Sequence, residues 1–307
     1  MTRGFTGLLR LAPEVERALI RSQPVVALET SLVAHGLPHP HGLETARRCE
    51  QRVRAEGAVP ATLAVIDGIV RVGVDDAELE RLATADRVRK VGPRDLASCV
   101  ISGELGACTV GGSLAVCRIA GIHFMATGGI GGVHRGWATS RDVSADLYEI
   151  AIAPVCVVCS GAKSLLDVRA TLEEIETNAI PLIGYRTDTF PQFYQRTSEH
   201  QLGDRADDAA TVAAVAATHW GFARDTGVIV ANPVAEEAAL ASSLIEPLIE
   251  QALAEAEQAD VRGANITPFV LARLHELSGG LSLAANRRLV EDNAALAAEI
   301  AVCYYAD

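Results

Sequence analysis

The chain has 307 residues, 49% hydrophobic and 21% charged, which excludes a disordered protein and permits a large core; with aromatics at only 4%, that core must be mostly Val, Leu, Ile and Ala. The formal net charge of -12 argues against duplex nucleic acid as a partner, because duplexes are held by clustered cations, yet a single phosphate needs only a few local donors. The seven cysteines are scattered, the first residues lack signal-peptide order and no apolar run is long enough to span a membrane, so the expected setting is the reduced cytoplasm with no membrane partner.

In chain order, residues 25–28 read as a buried strand ending at Glu29, and 43–56 as a helix closed by Gly57. Residues 63–66 and 69–72 flank Asp67-Gly68, a strong hairpin signal. A helix is expected over 78–85. Residues 123–126 form a short strand feeding a glycine-rich loop. Residues 155–159 form another, followed by Gly161-Ala162-Lys163 and a helix over 164–177. Strands are expected at 182–185 and 228–230, with a polar, irregular stretch over 187–208 that reads as a mobile flap near a site. The last third is helical, over 241–258, 268–277 and 283–305. This alternation predicts one domain over 1–307: an α/β/α sandwich with a mixed, largely parallel central sheet and a helical C-terminal third.

Four groups of residues carry candidate chemistry. Gly128 to Gly136 holds five glycines in nine residues, so its backbone can approach a ligand closely. Its N–H groups suit an anion, with His134 and Arg135 adding charge for a phosphate, although a tight connection needs no ligand. The glycine spacing is not that of a dinucleotide fingerprint, which argues against a dinucleotide-dependent oxidoreductase. Lys163 falls where a strand gives way to a helix, at the carboxyl end where α/β sheets bind ligands. A helix N-terminus and partial desolvation both disfavour a protonated amine and leave a nucleophile for an aldehyde; a solvated surface lysine is the plain alternative. The sequence contains only two lysines, Lys90 and Lys163, and arginine cannot replace either in amine chemistry.

Glu29 at its strand end suits a general acid, or else caps a neighbouring backbone. Asp142 and Asp146 suit a hard divalent ion completed by water, while Asp146 reads equally as a helix cap before Leu147. His35, His39 and His41 have a ligand-like spacing, but Gly36, Pro38 and Pro40 among them predict a loop rather than a zinc site. Cys156 and Cys159 lie three apart in a strand, on opposite faces, so packing is expected of them rather than redox or metal chemistry.

Together these stretches resemble the pseudouridine-5'-phosphate glycosidase family, also called indigoidine synthase A-like. The matching runs are ALETSLVAHGLPHP from Ala27, EGAVPATLAVIDG from Glu56, RKVGPRDLA from Arg89, ATGGIGGVHRG from Ala126, DVSADL from Asp142, VVCSGAKSLLDV from Val157, GYRTDTFPQFY from Gly184 and VANPVAEE from Val230, then NITPFVL and GGLSLAAN near the end. The resemblance implies a homotrimer and a divalent metal, manganese before magnesium. It places the imine-forming lysine on Lys163, the acid/base glutamate on Glu29 and the metal aspartate on Asp142. Substrate contacts fall on Lys90, Thr109, Val110, Ser144, Ala145 and Asp146, and Asn286 would face the base or the sugar. Phosphate contacts from His134 and Arg135 rest on their chemistry alone.

The implied reaction joins or separates ribose 5-phosphate and a carbon-nucleophile aglycone through an imine at C1'. This sequence departs from the family pattern in a loop expected at 107–113, where it reads Ala-Cys-Thr-Val-Gly-Gly-Ser, and at 194–199 in the flap. Glycines at 111 and 112 would enlarge a pocket. These departures predict a specialised member that C-ribosylates an aromatic polyketide-type precursor, ahead of cleavage of pseudouridine 5'-phosphate to uracil and ribose 5-phosphate. A non-catalytic sugar-phosphate binder is the third expectation, opposed by the presence of Glu29, Lys163, Asp142 and Asn286.

Overall fold

A computed structural model describes residues 7–306. Its strands are β1 (Leu9–Leu11), β2 (Val25–Leu28), β3 (Val59–Ile66), β4 (Ile69–Val72), β5 (Arg89–Val91), β6 (Gly106–Cys108), β7 (Phe124–Ala126), β8 (Cys156–Cys159), β9 (Leu182–Tyr185), β10 (Asp204–Ala206) and β11 (Val228–Ala231). They form one sheet in the order β1-β4-β3-β2-β7-β8-β11-β9-β10, with β6 on β3 and β5 on β6. From β3 through β2 to β10 every pairing is parallel. The β3–β4 and β3–β6 pairings are antiparallel. The expected mixed, largely parallel sheet is therefore present. The hairpin turns where predicted, with Asp67 and Gly68 both at positive φ as a two-residue turn requires.

Every residue of β2, β7, β8 and β11 is buried, so both faces of the sheet centre are covered. Each apolar side chain fully buried there contributes about 1.5–3 kcal/mol. The C-terminal helix (Leu281–Ala306) packs on β2, β7 and β8 and against the helices His41–Ala55 and Ala209–Gly221. The helices Val110–Ala120 and Ala145–Ile152 pack on each other, the first also touching β2 and β6. The last third is helical as expected, over Ser242–Gln258, Ile266–Leu277 and Leu281–Ala306.

Three expectations change. The helix after Lys163 begins at Val168, not at 164, with the Asp167 carboxylate capping the Ala170 amide at 3.0 Å. The intervening residues instead pair with the glycine loop. The stretch read as a 107–113 loop is the end of β6 and the first turn of Val110–Ala120, where Thr109 caps the Gly112 amide. A three-residue strand shows no alternation, and two glycines disguise the helix start. The segment expected as a mobile flap is anchored: Phe190, Phe193 and Tyr194 are buried, and residues 204–206 form edge strand β10.

Candidate active site

Glu29 is the first residue past β2 and Thr127 the first past β7, neighbours because those strands run parallel in register. The Glu29 carboxylate accepts short hydrogen bonds from the hydroxyls of Thr127 and Ser31. Thr30, fully buried, ties β2 to its neighbours by donating to the Leu63 carbonyl at 2.6 Å and accepting from the Cys108 amide at 3.0 Å. Glu29 is thereby fixed at the carboxyl edge of the sheet, the usual ligand edge of this architecture.

Lys163 follows β8 on the same edge. Residues 161–167 are laced to the glycine loop: Ile130 N donates to Gly161 O at 3.0 Å, Lys163 N to Ile130 O at 3.1 Å and Asp167 N to Val133 O at 2.9 Å. Because the helix starts five residues beyond Lys163, its dipole acts on the amine only weakly, contrary to the reading from sequence. Phe193 N donates to Ser160 O from beneath, at 2.9 Å.

The glycines serve packing. A Cβ at Gly131 would lie 2.2 Å from Ser144 Oγ, one at Gly132 would lie 2.4 Å from Thr171 Oγ1, and one at Gly129 would lie 2.6 Å from the Phe193 ring. The amides of Ile130, Gly131, Val133 and His134 are all bonded within the protein, so an anion cradle built from those four is not what the loop offers. Gly111 and Gly112 likewise admit Asp146 and the Val91 carbonyl rather than enlarging a pocket.

Asp146, buried, accepts from Gly111 N and Gly131 N, each at 2.8 Å, and so braces the 110–120 helix against the glycine loop. Ser144, not Asp146, caps the helix Ala145–Ile152. Ala145 opens that helix on its exposed side, while Val110 is buried at the start of its own. His134 Nδ1 lies 4.0 Å from Asp142 Oδ2. Burial first holds His134 below its ordinary pKa; Asp142 opposes this, and Lys90 and Lys163 add to it. The Lys90 amine is also lowered, first by burial and then by Lys163, against the pull of Asp146 and Glu29. Lys163, Lys90, Glu29, Asp146, His134 and Asp142 therefore share one electrostatic neighbourhood. Arg135 faces elsewhere: its guanidinium donates to the carbonyls of Ser164 (3.1 Å) and Leu166 (3.4 Å) and reaches Glu246, bracing the turn after Lys163 rather than presenting itself to a phosphate.

A cavity of about 300 Å³ lies between residues 34–38 and the two C-terminal helices. Three buried atoms on its lining residues have no protein partner: His35 Nε2, His275 Nδ1 and Asn286 Oδ1. Asn286, buried on the C-terminal helix, also sits against Gly128, beside Thr127. His35 is held below its ordinary pKa by burial and then by Lys90, which joins this cavity to the lysine cluster.

Residues 14–303 match the family described as indigoidine synthase A like protein. The chain belongs to that family. It is 46% identical to the pseudouridine-5'-phosphate glycosidase of Geobacillus kaustophilus, over 95% of this chain and 97% of that one. With the enzyme of the same name from Herpetosiphon aurantiacus it shares 47% identity, over 97% and 98%. Among solved structures, the prealnumycin C-glycosynthase AlnA, in complex with ribulose 5-phosphate, superposes with a TM-score of 0.89 at 36% identity, covering 98% of each chain.

Sequence reasoning missed Thr127, Thr30 and His275. The first two are polar residues just past or within apolar strands, a signal that was available. His275 lies in an amphipathic helix where nothing marks it. Cys156 and Cys159 are buried as expected, their thiols pushed up by burial to about 12 and about 11. Among the described residues no helix is long and apolar enough to cross a membrane.

Proposed function

We propose that this protein acts on pseudouridine 5'-phosphate, interconverting it with uracil and ribose 5-phosphate through an imine at Lys163. The observation that carries the reading is the placement of Lys163 and Glu29 on one sheet edge, with Lys90 electrostatically coupled to both, beside a cavity with unpartnered polar atoms. Lys163 Nζ bonds to C1' as the C1'–O4' bond of the sugar breaks and O4' takes a proton. Glu29, oriented by Thr127 and Ser31, delivers a proton to the aglycone carbon. The nitrogen lone pair then forms the C1'=N bond as the C1'–C bond breaks, and water hydrolyses the imine to ribose 5-phosphate and free lysine. A C-glycoside has no oxygen or nitrogen leaving group, so the amine's electron pair is the driving element. Lys90, with burial and Lys163 both favouring its neutral form, gains charge stabilisation when a phosphate or sugar oxygen approaches.

A pyrimidinedione carries both N–H donors and carbonyl acceptors, which suits His35, His275 and Asn286. An aromatic polyketide, the aglycone expected first from sequence, offers a poorer match to that polar lining. The relatives at 46–47% identity also favour uracil. C-ribosylation of a polyketide is kept as the second reading, supported by the likeness to AlnA.

Asp142, half-buried with His134 beside it, would hold Mn2+ or Mg2+ through its carboxylate; among the described residues no third His, Cys, Asp or Glu joins them. Such an ion keeps water and substrate oxygens as its other ligands and supplies positive charge to the sugar phosphate. A homotrimer is proposed with the family, and light scattering in solution tests it.

The decisive assay incubates the protein with pseudouridine 5'-phosphate and follows uracil release. In parallel, borohydride is added with ribose 5-phosphate, and a reduced adduct on Lys163, absent in Lys163→Ala, is expected by mass spectrometry. Adduct without uracil release would move the assignment to another aglycone. Binding of ribose 5-phosphate with no adduct would end the imine mechanism and leave a sugar-phosphate binder.

A further inference from the structure

Four adjacent parallel strands, β2, β7, β8 and β11, end in Glu29, Thr127, Ser160 and Asn232, each the first residue past its strand. Register keeps these residues side by side: Leu28 pairs with Ala126, Thr127 N donates to Val158 O, and Ala231 pairs with Cys159. All four carry polar side chains, whereas the four strands that they follow are apolar throughout. Asn293 comes down onto this row from the C-terminal helix and is fully buried.

Its carboxamide bonds to three of the four strand ends. Nδ2 donates to the Thr127 carbonyl at 2.8 Å and to Ser160 Oγ at 3.1 Å. Oδ1 accepts from Asn232 Nδ2 at 2.9 Å and faces Ser160 Oγ at 3.5 Å. Thr127 in turn donates its hydroxyl to Glu29. The network is thus a clamp with one arm leading to Glu29 and another to Ser160, three residues before Lys163.

We infer that Asn293 is a positioning residue of the reaction: it fixes the separation between the proton donor Glu29 and the amine of Lys163. The inference rests on the roles given to those two groups above. The physical basis is the directionality of a carboxamide. Its donor and acceptor sides are distinct, so a single orientation satisfies Thr127, Ser160 and Asn232 together. Because the site is buried, any other orientation leaves polar groups unpaired. Proton delivery to a carbon requires near-attack geometry, so a small displacement of Thr127 costs rate rather than binding.

The test compares Asn293→Asp with the wild type and with Thr62→Val. Asn293→Asp keeps the shape and the acceptor but loses the donor toward Thr127. Thr62→Val removes a buried hydroxyl bonded to Glu50, on β3 and outside the Asn293 network. For pseudouridine 5'-phosphate cleavage, Asn293→Asp is expected to lower kcat about 10- to 100-fold while KM moves less than about 3-fold. The pH–kcat profile should shift with it. Thr62→Val should lower Tm and leave kcat and the profile in place. Wild-type kcat and profile in folded Asn293→Asp overturn the inference, as does an equal kcat loss in Thr62→Val.

Asn232→Ala, which frees the carboxamide to turn, is the second variant should Asn293→Asp not fold. A smaller kcat loss, about 3- to 10-fold, is expected of it, and no loss overturns the inference. If the wild type releases no uracil, the reaction assignment fails separately. The inference is then read in a crystal structure of the variant, where Thr127 Oγ1 should leave Glu29; an unmoved pair overturns it.

Discussion

Around Lys163 the backbone is bonded to itself, whereas around the 300 Å³ cavity buried polar atoms have no protein partner. In the first region Asp146 takes two amides, the glycine loop gives four of its N–H groups to internal acceptors, and Arg135 holds the turn that follows the lysine. In the second, His35, His275 and Asn286 each keep one unsatisfied atom, at a cost of about 1–3 kcal/mol apiece if water does not reach them. The contrast separates two tasks. On the proposed reaction, the amine of Lys163 and the acid Glu29 need a geometry set before substrate arrives, which complete supports provide. A recognition surface needs free donors and acceptors, and on the proposed function the unpartnered atoms of the cavity fill that need.

Lys163→Ala removes the amine proposed to react without touching the lacing, which runs through backbone atoms. Turnover should fall on the order of 10⁴-fold while urea unfolding shifts by less than about 1 kcal/mol; a large stability loss would erase the distinction between reacting group and frame. Asp146→Ala attacks the frame itself. It leaves the Gly111 and Gly131 amides unpaired, and we expect about 3 kcal/mol of destabilisation in the urea midpoint. Unchanged stability would show that these bonds are not structural.

On the cavity side the signs reverse. His275→Leu removes an unsatisfied atom, so stability should hold or rise by up to about 1 kcal/mol while kcat/KM for the C-nucleoside falls about 10-fold. Borohydride trapping of ribose 5-phosphate on Lys163 should stay at the wild-type rate; equal loss in both assays would place the cavity on the sugar side. The smallest expected effect is a pH dependence of stability. His35 and His134 are both held below their ordinary value of 6.5, so the unfolded chain takes up protons first as the pH falls. Melting temperature should therefore begin to drop near pH 6.5 and keep dropping until the folded-state values are passed. Calorimetry of His35→Asn should show a shallower drop, and an identical one would remove His35 from the account.

The parts legible from sequence are those with a local cause. Apolar runs marked β2, β3, β7, β8, β9 and β11, Asp67-Gly68 marked the hairpin, and periodic apolar positions marked the C-terminal helices. Short strands β5 and β6 escaped because three residues carry no period, yet β5 bears Lys90. Lys163 and Glu29 stand out in the sequence because each follows an apolar strand, and the structure sets them on one edge. Arg135 was read as a phosphate contact because charge is visible in sequence and direction is not. Its guanidinium is drawn to carbonyls left free by the delayed start of the 168–177 helix.

The sequence by itself determined the α/β alternation, the family and the two residues proposed for the chemistry, because strand ends and loop composition are local properties. Only the tertiary structure decided that the glycines make room for side chains rather than for an anion, that Asp146 is a brace, and that Asn293, far along the chain, clamps the row of strand ends. Those roles depend on which backbone groups remain unpaired once the sheet and its helices are packed. No short stretch of sequence holds that information.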